Sequence, residues 1–167
     1  MTDVFVAAGS NVNPVGNLRA ALTALRQVYP TLRLSPAYRN SAVGFEGADF
    51  INLVVGFSTD DPVVRVREQL QKIEGACGRP PGAPKWAPRT MDLDILLYGQ
   101  TVSDTPGLIL PRPDLVRRPY VLKPMAELAP EVMHPTLQRS MRELWAAFDS
   151  AAHPMARFDL ESGDAMS

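Results

Sequence analysis

Apolar positions along this chain switch between a spacing of two and a spacing of three to four, and the switches mark out six elements before residue 100. Val4-Phe5-Val6-Ala7-Ala8 is a short run of β-forming residues, stopped by the turn chemistry of Gly9-Ser10-Asn11, and it predicts a first strand. Pro14 opens a helix whose Leu18, Ala21, Leu22 and Leu25 share one face and which ends near Tyr29-Pro30. Leu34 to Ser41 predicts a second strand, and Gly44 to Asp49 a turn-rich connector. Phe50 to Thr59 is a third strand, with Asn52 on the same face as Phe50 and Val54. Asp61-Pro62 begins a second helix with Val63, Val66, Leu70 and Ile73 as its apolar stripe, ending at Gly75 to Gly78. A strand from Asp92 to Gly99 completes the series. Short helices are expected at Tyr120 to Leu128, in spite of Pro124, and at Met141 to Phe148. From Ala151 the periodicity is lost, and residues 151–167 are expected to fray.

The order strand, helix, strand, strand, helix, strand is the βαββαβ plan of an α+β fold: a ferredoxin-like sandwich, with an antiparallel sheet, helices on one face and a C-terminal helical extension. A chain of 167 residues supports one such domain, set at residues 1–150. With 46% apolar and 21% charged residues the composition is that of a globular protein, and a net charge of −1 argues against general nucleic-acid or membrane-surface binding. Any basic site has to be local. The lone Cys77 fits a reducing compartment and reads as a small apolar filler at a helix end. Neither a signal-peptide pattern nor a membrane-spanning run is present, so a cytoplasmic protein is expected. His134 and His153, each beside a proline, are expected in surface turns.

The chemistry gathers around Trp86-Ala87-Pro88-Arg89-Thr90-Met91-Asp92-Leu93-Asp94-Ile95-Leu96-Leu97-Tyr98-Gly99. Strand alternation puts Asp92, Asp94, Leu96 and Tyr98 on one face and Leu93, Ile95 and Leu97 on the other. The two carboxylates then lie about 6.6–7 Å apart at Cα, near enough to hold one cation or a close pair. Mg²⁺ suits them, because it takes one or two protein carboxylates together with phosphate oxygens. Six of the 17 Lys and Arg residues fall between Arg79 and Arg118, which is how a nearly neutral protein builds a local anion site. Arg79, Arg89, Arg112, Arg117 and Arg118 offer the forked geometry that grips phosphate. The segment from Gly78 to Arg89, with four prolines and two glycines, forbids regular structure and reads as a lid feeding the aspartate strand. By themselves Asn52 reads as a polar residue at a strand edge and Gly9-Ser10-Asn11 as a turn, since neither phosphate-loop pattern follows it.

The run Arg89 to Gly99, preceded by Trp86-Ala87-Pro88, closely resembles the signature of the 6-hydroxymethyl-7,8-dihydropterin pyrophosphokinase family. Gly9-Ser10-Asn11, Phe50-Ile51-Asn52 and Glu74 match further family features in order, and the resemblance covers residues 4 to 148. It implies a ferredoxin-like enzyme that transfers the terminal pyrophosphoryl of ATP to the pterin hydroxymethyl group and releases AMP, using two Mg²⁺ ions. On that resemblance Asp92 and Asp94 hold the metals, and Arg79 and Arg89 join them as catalytic residues. Gln71, Glu74, Trp86, Arg89 and Ile95 belong to the ATP side, where Arg112 replaces the phosphate contact of a family histidine. Asn52 bonds the pterin edge, Phe50 and Tyr120 stack on its faces, backbone at Val43 and Gly44 completes the pocket, and Arg118 reaches the bound substrates. A monomer is expected, with these two small molecules as its partners. The chain departs from the family pattern at Pro81, where many members carry a second loop arginine, at Arg112-Pro113, and at Arg39 to Gly44, which lacks a frequent Thr-Pro. Those departures leave open a paralogue that binds nucleotide or pterin without turnover. A ferredoxin-like RNA-binding module is disfavoured by the charge and by the lack of an aromatic RNA-binding pattern.

Overall fold

A computed structural model describes residues 1–40, 49–77, 91–149, 155–161 and 164–165. The apolar run at the N-terminus becomes β1 (Thr2–Ser10), and Pro14 sits in the first turn of α1 (Pro14–Val28). The helix starts after Asn13, whose left-handed backbone (φ 41°) turns the chain back across the sheet. The single strand expected from Leu34 to Ser41 is broken into β2 (Arg33–Leu34) and β3 (Ala37–Asn40). Pro36 explains the break, because it has no N–H to give to a ladder. Ser35 mends it: its N–H donates to Val54 O (2.9 Å) and its hydroxyl accepts from Val54 N–H (2.8 Å). Then follow β4 (Phe50–Thr59), α2 (Val63–Ala76) and β5 (Asp92–Tyr98), with the bounds the apolar pattern predicts.

After β5 the two expected helices are present, with strands and one more short helix added to them. A hairpin of β6 (Ser103–Thr105) and β7 (Leu108–Leu110) precedes α3 (Asp114–Arg117), α4 (Pro119–Leu128) and α5 (Met141–Ala146). The last described segments are β8 (Ala156–Asp159) and β9 (Asp164–Ala165), where the lost periodicity predicts fraying. Backbone pairing decides the matter, since β8 runs antiparallel along the free edge of β3, with Phe158 opposite Ala37. The main sheet has the order β5-β1-β4-β3-β8-β9, with β2 also beside β4, and its described pairings are antiparallel.

Helices cover both faces of this sheet, where the sequence pattern predicts one. Leu18, Leu22 and Leu25 of α1 and Val66, Leu70 and Ile73 of α2 pack on Val4, Val6, Leu53, Val55, Leu93 and Ile95. On the other face Leu122 and Met125 of α4 and Met141 and Leu144 of α5 pack on Phe5, Val54, Leu96 and Leu97. Cys77 is buried at the end of α2, as its reading as filler predicts, and burial pushes its thiol pKa up. Among the described residues no helix is long and apolar enough to cross a membrane.

A β-bulge alters the alternation in β5. Val6 pairs with Ile95 but Phe5 with Leu97, so Leu96 is the extra residue. Leu96 and Leu97 therefore both enter the α4 face, and Tyr98 is turned to the α1 and α2 face. Its hydroxyl donates to Asp61 O there (2.6 Å). Asp92 and Asp94, before the bulge, keep the shared face that alternation predicts, whereas Tyr98 does not.

His134 is buried, against the surface turn expected for it, and its Nδ1 accepts the N–H groups of Thr136 (3.3 Å) and Leu137 (3.1 Å). His153 lies outside the described residues. Burial lowers the His134 pKa from its ordinary 6.5. Its contribution to stability is thus complete above pH 6.5 and is lost as pH falls below that value, because the unfolded chain takes up the proton more readily. The urea midpoint should fall between about pH 7 and pH 5, and His134→Asn should flatten that slope. Phe158→Ala should cost about 3–5 kcal/mol in urea denaturation, the loss typical of a buried aromatic ring. A value near zero would mean that the C-terminal strand does not pack.

Candidate active site

The antiparallel register lines up residues from three strands. Gly9 of β1 is opposite Asn52 of β4 on one side and Asp92 of β5 on the other, and the next row is Val54, Ala7 and Asp94. Strands lie about 4.8 Å apart, so Asn52 and Asp92 stand about 10 Å apart across the glycine. Small residues at positions 7 and 9 leave the middle of this face open. The result is a cleft of about 360 Å³ between the sheet and the start of α4, whose lining includes Phe50, Asn52, Asp92, Asp94, Arg112, Asp114 and Tyr120.

Gly9 makes room for the Asn52 carboxamide, since a Cβ there would stand 2.4 Å from Asn52 Oδ1 and would have to displace it. The Asn52 carboxamide is held from its other end as well, where Nδ2 donates to Oδ1 of Asn40, a buried residue on β3. Asn52 is thus an interior-strand residue facing the cleft, and the strand-edge reading of it is overturned. Asn40 pairs directly with Phe50 and Tyr38 with Asn52, so the polar pair is a diagonal contact across two strands.

At the other end of the cleft the charges meet. Arg112 Nη2 lies 3.5 Å from Asp94 Oδ2, and its Nε lies 3.5 Å from Asp114 Oδ2. Asp114 in turn stands 3.9 Å from Arg118 Nε, one helical turn on. The Arg112 backbone is tied down on both sides, its N–H donating to Leu96 O (3.0 Å) and its carbonyl accepting from Leu115 N–H (3.1 Å). The bulge residue of β5 therefore sets the level of Arg112 beside Asp94. Among the described residues the lining holds three carboxylates and one guanidinium, and carboxylate oxygens are the donors a hard divalent cation takes. Tyr120, half-buried at the start of α4, has its hydroxyl pKa raised by burial, lowered in part by Arg118 and raised further by Asp114.

The structure thus brings together six residues expected of the site: Phe50, Asn52, Asp92, Asp94, Arg112 and Tyr120. Arg118 lies beside them through Asp114, while Arg117 is exposed and does not line the cleft. Gln71, Glu74 and Ile95 do not line it either. Ile95 is core on the α1 and α2 face, Gln71 is exposed on α2, and Glu74 accepts the Leu93 N–H (2.9 Å), bracing β5 between its two aspartates. Val43, Gly44, Arg79, Trp86 and Arg89 lie outside the described residues. Asn40 and Asp114 are additions. The spacing Arg112-x-Asp114-x-x-x-Arg118 signals an ionic relay around Asp114, whereas Asn40 has no local signal because its partner follows from strand register.

Residues 5–130 match the family model described as 7,8-dihydro-6-hydroxymethylpterin-pyrophosphokinase (HPPK). The chain is 37% identical over 148 residues to the 2-amino-4-hydroxy-6-hydroxymethyldihydropteridine pyrophosphokinase of Pseudomonas aeruginosa, covering 86% of this chain and 90% of the relative. It is 34% identical over 142 residues to the enzyme of that name from Haemophilus influenzae, covering 83% and 88%. Among solved structures it is similar to Plasmodium falciparum HPPK-DHPS wild type with STZ-DHP, with a TM-score of 0.68 at 14% identity over 87% of this chain. The chain spans 43% of that longer chain, and the likeness shows the fold alone.

Gly9→Ala should displace the Asn52 carboxamide and cost about 1–3 kcal/mol, as overpacking does. Urea denaturation and the Asn52 side-chain amide resonances check this; an unshifted Asn52 would contradict the close approach.

Proposed function

The chain belongs to the 7,8-dihydro-6-hydroxymethylpterin-pyrophosphokinase family, and we propose that the cleft floored by β1, β4 and β5 is where it transfers pyrophosphate from ATP to 6-hydroxymethyl-7,8-dihydropterin in folate biosynthesis. The observation that carries the assignment is the meeting in one cleft of two same-face carboxylates, an arginine, a fixed carboxamide and two aromatic side chains. AMP as product requires the hydroxymethyl oxygen to bond to the β-phosphorus while the bond between that phosphorus and the α,β-bridging oxygen breaks.

Asp92 and Asp94 fit Mg²⁺ as hard oxygen donors. Among the described residues no three His, Cys, Asp or Glu side chains are arranged to hold one metal ion, so an ion here would complete its shell with water and phosphate oxygens. Two ions bound there would neutralise the charge that develops on the attacking and leaving oxygens. Arg112, adjacent to Asp94, would grip phosphate in a forked contact, and Arg118, paired with Asp114, would reach the substrates from the end of α3. Asn52, already oriented by Asn40 and Gly9, offers the pterin edge a donor and an acceptor, with Phe50 and Tyr120 supplying apolar faces for its ring. The row spacing of about 10 Å from Asn52 to Asp92 leaves the pterin and phosphate ends separate partners on one rigid floor.

The remaining assignments rest on the signature. Gln71, Glu74, Trp86, Arg89 and Ile95 belong to the ATP side, backbone at Val43 and Gly44 to the pterin pocket, and Arg79 and Arg89 to closure and catalysis over the phosphates. We read β1 to β5 with α1 and α2 as a ferredoxin-like core, supported by the antiparallel order β5-β1-β4-β3. We further read the protein as a single domain, here including the β8 segment, acting as a cytoplasmic monomer. The buried free thiol of Cys77 supports a reducing compartment.

With ATP, Mg²⁺ and hydroxymethyldihydropterin the protein should form AMP, followed by chromatography; ADP in its place would overturn the assignment. Asp94→Ala should lower turnover by about 10²–10³-fold or more while the far-ultraviolet dichroism is unchanged. Near-normal turnover in that variant would remove the metal role.

A further inference from the structure

We propose that Arg112 is a tethered counter-ion that competes with the divalent metal for Asp94, with Asp114 as the carboxylate that receives it when metal binds. The proposal rests on the reading of Asp94 as a metal ligand. Arg112 bridges two carboxylates, Nη2 at 3.5 Å from Asp94 Oδ2 and Nε at 3.5 Å from Asp114 Oδ2. A cation on Asp94 and the guanidinium contacting the same oxygen repel each other, so the two occupancies oppose one another.

Geometry makes the exchange local. The Arg112 backbone is held by Leu96 and Leu115, and Leu115 is fully buried, so the side chain swings while its Cα stays. Its Nε already lies at Asp114, which makes the swing short. Neither ion pair is tight: both exceed the 2.7–2.9 Å of a strong charged hydrogen bond, and the Arg112 side chain is 37% exposed. Pairs of this kind are weak enough to yield to a divalent ion yet strong enough to shift its affinity. A guanidinium displaced from Asp94 remains at the cleft, where it is available to phosphate. The arrangement therefore disfavours metal uptake alone and favours uptake together with an anion that engages Arg112.

Binding of Mn²⁺ to the full chain without nucleotide, followed by electron paramagnetic resonance of the free ion, tests this independently of activity. Arg112→Gln should bind Mn²⁺ about two- to fivefold more tightly than the native protein, while Arg112→Lys, which keeps the charge, should stay near the native affinity. Asp114→Asn should weaken Mn²⁺ binding, because Arg112 then leans on Asp94 alone, and much of that loss should vanish when Arg112→Gln is added. Equal or weaker binding in Arg112→Gln, an Arg112→Lys that behaves like it, or an Asp114→Asn loss identical in both backgrounds would overturn the proposal. Asp94→Asn should abolish the site. If it does not, the metal assignment itself fails, which is a separate outcome from failure of the competition.

Discussion

The site depends on one steric constraint, the absence of a side chain at Gly9. This residue lies in β1, between the strand that carries Asn52 and the strand that carries Asp92. A Cβ at position 9 would enter the space of the Asn52 carboxamide. Because side chains in neighbouring strands meet in fixed rows, the glycine, the asparagine and the aspartate define each other's positions. The cleft is thus a property of register, and a slip of one residue in either pairing would send its members to the opposite face.

Charge is arranged around that floor by short-range connections. The bulge at Leu96 ends the regular alternation after Asp94 and offers the carbonyl that fixes Arg112 beside it. Arg112, Asp114 and Arg118 then continue the sequence of alternating charges onto α3. On the opposite face Glu74 accepts the Leu93 N–H, so β5 is braced on one side by an acid on α2 and faced on the other by an arginine. Turning Tyr98 out of this row keeps a large ring away from the charged end and puts its hydroxyl on the chain entering α2.

Rigidity behind the carboxamide end comes from the segment least suggestive of structure. β8 covers the edge of β3, and Arg157 of β8 and the Tyr38 hydroxyl of β3 both bind the Glu127 carboxylate on α4. Burial, with the hydrogen bond to Glu127, raises the Tyr38 pKa, keeping that hydroxyl a donor. Lys123 of α4 lies over the Tyr38 ring, 4.9 Å from its centre. The strand that supplies Asn40 is therefore tied to a helix and to the C-terminal segment at once, and Asn40 in turn fixes Asn52.

Local sequence determined the elements whose cause is local. Period-two and period-3.6 apolar runs produced β1, α1, β4, α2 and β5, and alternation before the bulge put Asp92 and Asp94 on one face. The signature around Asp92 identified the family, because it is long and its residue types are specific. Tertiary structure alone decided what depends on partners far away in the chain. Pairing, which a composition lacking periodicity cannot announce, turned residues 156–159 into a strand. Packing against α4 and α5 covered the second face, and the bulge set by pairing with β1 reversed Tyr98. Register moved Asn52 from an edge to the interior and gave it Asn40, and the return of the chain after β7 delivered Arg112 to Asp94. The sequence thus named the chemical groups, and only the long-range pairing of strands determined which of them share a cleft.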